Sequence, residues 1–192
     1  MGIKASYYFR ITPKSFKLKI LQKIVNLGHE LGYHYEDLSK TKGDYEKAFK
    51  LFINNLETFR QFYPVKTMCM HGSVYSKYDN RWLWRKFNYK NYGIICEPYL
   101  DLNFDEILYL TDTSRMWDGN KFSIRDKVES TYNFKLHSTY DIIDAIDEEI
   151  LPAKILINTH PARWYDRLLP WAKEFIVQNT KNIIKWIVVK IK

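Results

Sequence analysis

Two spacings of apolar residues alternate along the chain, and together they predict an α/β protein. Ile3 to Arg10 (IKASYYFR) is β-branched and aromatic, which predicts a strand. Phe16, Ile20, Ile24, Leu27 and Leu31 then recur every three or four positions. That spacing predicts an amphipathic helix over Lys14 to Leu31, opened by Thr12-Pro13 and closed by Gly32. Tyr33 to Glu36 reads as a short strand. Ala48, Phe52, Leu56 and Phe59 mark the inner face of a second helix, Tyr45 to Tyr63, which Pro64 ends. Val65 to Met70, Gly93 to Cys96, Ile107 to Leu110 and Lys154 to Asn158 are short apolar runs that predict strands, the last of them buried. A short aromatic helix is expected near Arg81 to Phe87. Another, running to Glu149, is capped by Ser138-Thr139-Tyr140-Asp141. The end of the chain, from about residue 163 to 192, is expected to be mostly helical.

Strands and helices in alternation with short connections imply a mainly parallel sheet, open or closed into a barrel. No repeat, low-complexity tract or linker divides the 192 residues, so one domain over 1–192 is the simplest expectation. A hydrophobic content of 46% with 17% aromatics argues against disorder. Tryptophan and tyrosine at this level also suit a surface that stacks on sugar rings.

The formal net charge of +8 would draw the chain to phosphate backbones or anionic membranes. The basic residues are spread out, however, and no nucleic-acid-binding motif is present, so no nucleic-acid partner is expected. Thr180 to Lys192 (TKNIIKWIVVKIK) mixes Lys181, Lys185, Lys190 and Lys192 with apolar residues. It is read either as a peripheral membrane contact or as a packed helix whose lysines snorkel, with packing favoured. Cys69 and Cys96 lack metal-type spacing and fit free thiols of a reducing cytoplasm. No run reaches the roughly 20 apolar residues of a membrane span, and no secretory signal opens the chain.

Three of the five histidines stand at predicted strand ends, where α/β folds assemble their sites. His34 and Glu36 share one strand face by the period of two. His71 is followed by Gly72, which permits close approach of a ligand to backbone. His160 ends the last apolar run and is placed to move a proton. His29 and His34 are five apart, which excludes the His-Glu-x-x-His zinc motif. Asp112, Arg115 and Trp117 form a polar and aromatic set in another strand-end loop. Arg163 and Trp164 flank His160 as further candidates for substrate contact.

Gly28-His29-Glu30-Leu31-Gly32-Tyr33-His34 resembles the Gly-His-Glu-Ile-Gly-x-His segment of the polysaccharide deacetylase family, the NodB-homology domain of carbohydrate esterase family 4. Ile3 to Phe9 is similar to that family's second strand. Ile155 to His160 is similar to its last motif. The resemblance implies an irregular (β/α) barrel and hydrolysis of an N- or O-acetyl group in bacterial surface-polysaccharide metabolism. It also implies a divalent metal, zinc in most members, that polarises the acetyl carbonyl and activates water. Under it His34 matches the first metal-ligating histidine and His160 the general acid.

The chain departs from that pattern at three places. Leu38 stands where the family has its second ligating histidine, and His71 or Glu36 is the expected substitute. The Arg-x-Pro motif has no counterpart. The Asp-Asp strand that supplies the base is missing, so the barrel is expected to lack its first strand or to take it from another polypeptide. The exposed edge would then favour association into a homo-oligomer. The alternative to a metal-dependent deacetylase is a non-catalytic carbohydrate-binding protein that keeps the cleft. A basic membrane- or nucleic-acid-associated module is the third and weakest reading.

Overall fold

Tyr7, Tyr8 and Phe9 need a sheet to pack into, and they find it beside the segment that follows the first helix. Strand β1 (Ser6–Phe9) pairs in parallel with β2 (Glu30–Tyr35), and β2 pairs in parallel with β3 (Met68–Met70). The computed structural model describes residues 2–72, 76–118 and 125–191, with side chains as far as residue 183 apart from 162. It divides the chain into two compact units, Met1–Leu102 and Asn103–Lys192.

In the first unit, helix α1 (Leu18–Asn26) is shorter than its apolar spacing suggests. Gly28 ends it at φ 75°, with Gly28 N–H donating to Val25 O at 2.8 Å and His29 N–H to Ile24 O at 3.2 Å. That pair of bonds is the Schellman arrangement, which favours glycine at the left-handed position. Leu31 satisfies a helical and a strand period alike, and the strand takes it. Gly32 is therefore no helix stop. A Cβ there would lie 2.3 Å from the Tyr8 ring, so glycine lets β1 and β2 approach.

Helix α2 (Asp37–Lys40) follows β2 directly, and α3 (Tyr45–Arg60) is capped by Asp44, whose side chain accepts from Lys47 N–H at 3.0 Å. The run Gly93 to Cys96 makes only an isolated parallel bridge, Thr67 to Cys96. Asn80–Arg85 is a 3-10 helix where an aromatic helix was expected. Helix α4 (Pro98–Asp101) closes the unit. Its core packs Tyr33, Tyr35, Phe52, Phe59, Met68 and Leu83 together, all buried.

In the second unit β4 (Leu108–Thr111) and β5 (Ile155–Asn158) pair in parallel. Helix α5 (Thr139–Asp147) starts in a capping box between Ser138 and Asp141. Strand β5 is not buried as its composition suggests: Ile157 is 55% exposed. The small core of this unit, Leu108, Leu110, Leu136, Ile142 and Ala145, draws no member from β5. Pro161–Arg163 forms a separate 3-10 turn, and α6 (Leu168–Ile191) begins after it. Pro170 sits in its first turn, where a missing N–H is tolerated.

The fold is thus mixed α/β with small parallel sheets, one of three strands and one of two, and no closed barrel is formed among the described residues. No helix of the described residues is long and apolar enough to cross a membrane. Ser73 and Gly119, in the loops after His71 and Trp117, lie outside the described residues. So do the side chains of Lys185 and Lys190, and all of Lys192, on which the membrane-contact reading of the C-terminus draws.

Candidate functional site

The carboxyl ends of parallel strands collect the polar residues in each unit. Arg10 follows β1, Glu36 follows β2 and His71 follows β3. Their register places them side by side. Glu36 takes Arg10 Nη2 at 2.6 Å and Lys40 Nζ at 2.9 Å. Burial alone would raise the Glu36 carboxyl, but hydrogen bonds and charge from Lys40 and Arg10 outweigh it and hold the group below the ordinary glutamate range. His71 Nε2 stands 3.9 Å from the same carboxylate.

His34 lies deeper. Its Nδ1 is 2.9 Å from Cys69 O, an acceptor only, so Nδ1 carries the proton. His34 Nε2 then accepts from His71 Nδ1 at 3.1 Å. Asn80 fixes the end of this chain of contacts, donating to His71 O at 2.8 Å and accepting from Ser39 N–H at 2.9 Å. The expected trio of His34, Glu36 and His71 is therefore brought together.

The trio as placed does not fit a divalent ion. Both ring nitrogens of His34 are engaged, and the Glu36 carboxylate is taken by two cations that would repel a third. Among the described residues no three His, Cys, Asp or Glu side chains are arranged to hold one metal. Leu38, at the position of the second ligating histidine, is 0% exposed and belongs to the core.

The second unit builds a different site on the same plan. Asp112 follows β4, and His160 stands just past β5. Asp112 Oδ1 lies 2.5 Å from His160 Nδ1. Its Oδ2 accepts from His160 N–H at 2.9 Å and from Trp164 Nε1 at 2.9 Å. Arg163 Nε is 3.5 Å from Oδ1. A carboxylate on Nδ1 fixes the tautomer that carries the proton there and leaves Nε2 to act on a ligand. The His160 side chain is 42% exposed, so that nitrogen is reachable.

Asp112, His160, Arg163 and Trp164 thus form one cluster. Trp117 stands beside it, its ring 6.2 Å from that of Trp164 and its Nε1 donating to Thr139 at 3.1 Å. Arg115 is turned away to α6, where it pairs with Glu174 and lies 5.0 Å over the Trp171 ring. The loop that carries Asp112 is strained: Ser114 and Arg115 adopt φ of 74° and 62°. Each left-handed non-glycine costs about 1–2 kcal/mol, which the surrounding contacts must offset.

Sequence reasoning passed over Arg10, Lys40, Lys42, Lys77 and Asp126. Arg10 ends a predicted strand and was detectable by the rule that singled out the histidines. Lys40 was detectable from its spacing of four from Glu36. Asp126 accepts from the hydroxyls of Tyr109, Thr111 and Thr113, a set that only the β4 register assembles. Comparison with family models, with curated proteins and with solved structures returns no match.

Proposed function

We propose that the chain is a divergent deacetylase-like protein of carbohydrate metabolism, in which His160 moves a proton to or from an acetylated sugar and Asp112 orients it. The observation that carries this reading is the Asp112–His160 pair at the carboxyl ends of β4 and β5. Trp164 and Trp117 supply the apolar faces on which a sugar ring would stack, and Arg163 a hydrogen-bond donor. The reading includes the barrel expected from the resemblance, incomplete at its first strand or completed by another polypeptide.

Acetate release from N-acetylated chito-oligosaccharides, followed by proton NMR, tests it. His160→Ala should lower the rate by about 10²–10⁴-fold, the usual worth of a general acid or base. Asp112→Asn should lower it as well while substrate affinity is kept, because the imidazole loses its fixed tautomer. Acetate release that His160→Ala leaves unchanged would sink the assignment. The metal-dependent form of the reading, with zinc on His34, His71 and Glu36, requires one zinc per chain and its loss in His34→Ala. Zinc-free protein that still releases acetate removes that form.

A carbohydrate-binding protein without chemistry is the second reading. It is favoured by the engagement of Glu36 with Arg10 and Lys40, which occupies that carboxylate. Sugar binding that a chelator does not change, with no acetate release, supports it over the first.

A further inference from the structure

The open cleft at the carboxyl ends of β1, β2 and β3 has a volume of about 490 Å³, within the ordinary range for a small-molecule site. Its walls carry Arg10, Lys40, Lys42 and Lys77 against the single carboxylate of Glu36, with His71 at its side. Basic residues are otherwise dispersed along the chain. Here residues distant in sequence converge, which dispersion alone does not produce.

The internal geometry gives the cleft its sign. Glu36 sits between Arg10 and Lys40 and holds both at less than 3 Å. One carboxylate neutralises one of them and positions the other. Lys42 and Lys77 are exposed and add two further charges. The Arg10 guanidinium bonds Glu36 through Nη2. A guanidinium fork with donors to spare matches a tetrahedral oxyanion, and lysines add point charges around it.

The wall is also built rather than incidental. Gly43 adopts φ 89°, and a Cβ there would stand 2.2 Å from the Tyr78 ring, so the turn after α2 presses its backbone onto Tyr78. Lys42, one residue earlier, is held at φ 54°, a left-handed conformation that few side chains adopt. Lys77 Nζ lies 5.3 Å over the Tyr78 ring, close enough for a cation–π contact. Tyr78 thus ties together the two segments that bring Lys42 and Lys77 to the cleft.

We propose that this cleft binds the phosphoryl group of a small anionic ligand, with Arg10 and Lys40 as the organised pair and Lys42 and Lys77 as the outer charges. The inference does not depend on the acid–base reading of the second unit. It gives the protein a phosphorylated compound, such as a sugar phosphate, as its ligand class.

The test is calorimetric titration of the full chain with inorganic phosphate, pyrophosphate and glucose 1-phosphate in 150 mM-range salt, with phosphorus NMR as the second readout. Saturable binding at one site per chain is expected for each, tightest for the ligand with most charge. The double variant Lys42→Glu/Lys77→Glu should weaken it by at least about tenfold, since each reversal replaces attraction by repulsion. If that variant fails to fold, Lys77→Ala alone, at an exposed position, should weaken it about threefold by losing one charge. His160→Ala should leave binding unchanged while removing acetate release, so the two readings fail separately. Absence of saturable binding, or binding indifferent to these lysines, would overturn the proposal. So would binding to a short single-stranded oligonucleotide alone, with none to the small phosphates, because the cleft would then be part of a nucleic-acid surface.

Discussion

Both units place a histidine and a carboxylate at the ends of parallel strands, yet the two pairs do opposite work. In the second unit Asp112 faces His160 directly at 2.5 Å and fixes its tautomer. In the first, Glu36 spends its lone pairs on Arg10 and Lys40, and His71 stays 3.9 Å away. The address is shared, and the neighbours decide the chemistry. Asp112 meets the imidazole at closest range, with Trp164 and Arg163 at its flanks, and so orients the ring. A carboxylate that meets two cations first becomes a scaffold for positive charge.

The units also differ in how firmly they are held. Phe52 in the first is 0% exposed and lies between the rings of Tyr33, Tyr35 and Trp84. The second relies on a few aliphatic side chains, and Ile142, at 8% exposure, is the larger of the two that α5 contributes. Phe52→Ala should cost about 3–5 kcal/mol through lost burial and the cavity it leaves, and Ile142→Ala about 2 kcal/mol. Native-state amide exchange reads the comparison directly. Amides of β4 and α5 should exchange through openings of lower free energy than those of β2 and α3. Equal protection in both units would break the contrast.

How far the sequence foretold these sites follows from how local each signal is. The Ser138 capping box lies within four residues and was legible. So was the placing of His71 and His160 just past strands, because apolar runs mark strands, whereas His34 lies within β2. The Asp112–His160 bond joins residues 48 apart and exists only through the pairing of β4 with β5, which spacing does not reveal. Two expectations fail, each for its own reason. Leu31 fits a helical and a strand period, so the stop passed from Gly28 to Gly32. The run KILIN has the composition of a buried strand, but exposure depends on what packs against it, and nothing local records that. The left-handed turn at Lys42 has no signature in its residue type.

Buried carboxylates sharpen the contrast further. Glu97 is 0% exposed, and it accepts from Met70 N–H at 3.0 Å and from Tyr35 Oη at 3.3 Å. Burial raises its carboxyl from 4.5 to about 7. Asp37, in the same core, is pushed up by burial from 3.8 to about 6. A raised value means that the folded state binds the proton more tightly than the unfolded one. The stability Glu97 adds is therefore fully present below 4.5 and is lost as pH rises to about 7. The loss is roughly 3 kcal/mol from the size of that shift. Glu36, whose carboxyl is lowered, acts in the other direction and loses its contribution only in acid. Urea midpoints of the first unit, followed by tryptophan fluorescence, should fall between pH 5 and 7.5 in the wild type. They should fall much less in Glu97→Gln, which keeps the acceptor for Met70 without the charge. An unchanged pH slope in that variant would remove Glu97 from the account.

The smallest expected effect separates the units most cleanly. Ser138 accepts from Asp141 N–H at 3.2 Å, and Asp141 returns the bond to Ser138 N–H at 2.7 Å. Asp44 makes the corresponding cap on α3. Ser138→Ala should cost about 1 kcal/mol, the usual worth of an N-cap, and Asp44→Ala should destabilise α3 in the same direction. Their consequences should differ because the margins differ. The second unit has few buried side chains beneath α5, so Ser138→Ala should raise exchange across α5 and β4 together. Asp44→Ala sits above a large aromatic core and should fray only the first turn of α3. Fraying confined to the first turn in both variants would mean that the two units have similar reserves of stability, whatever the size of their cores.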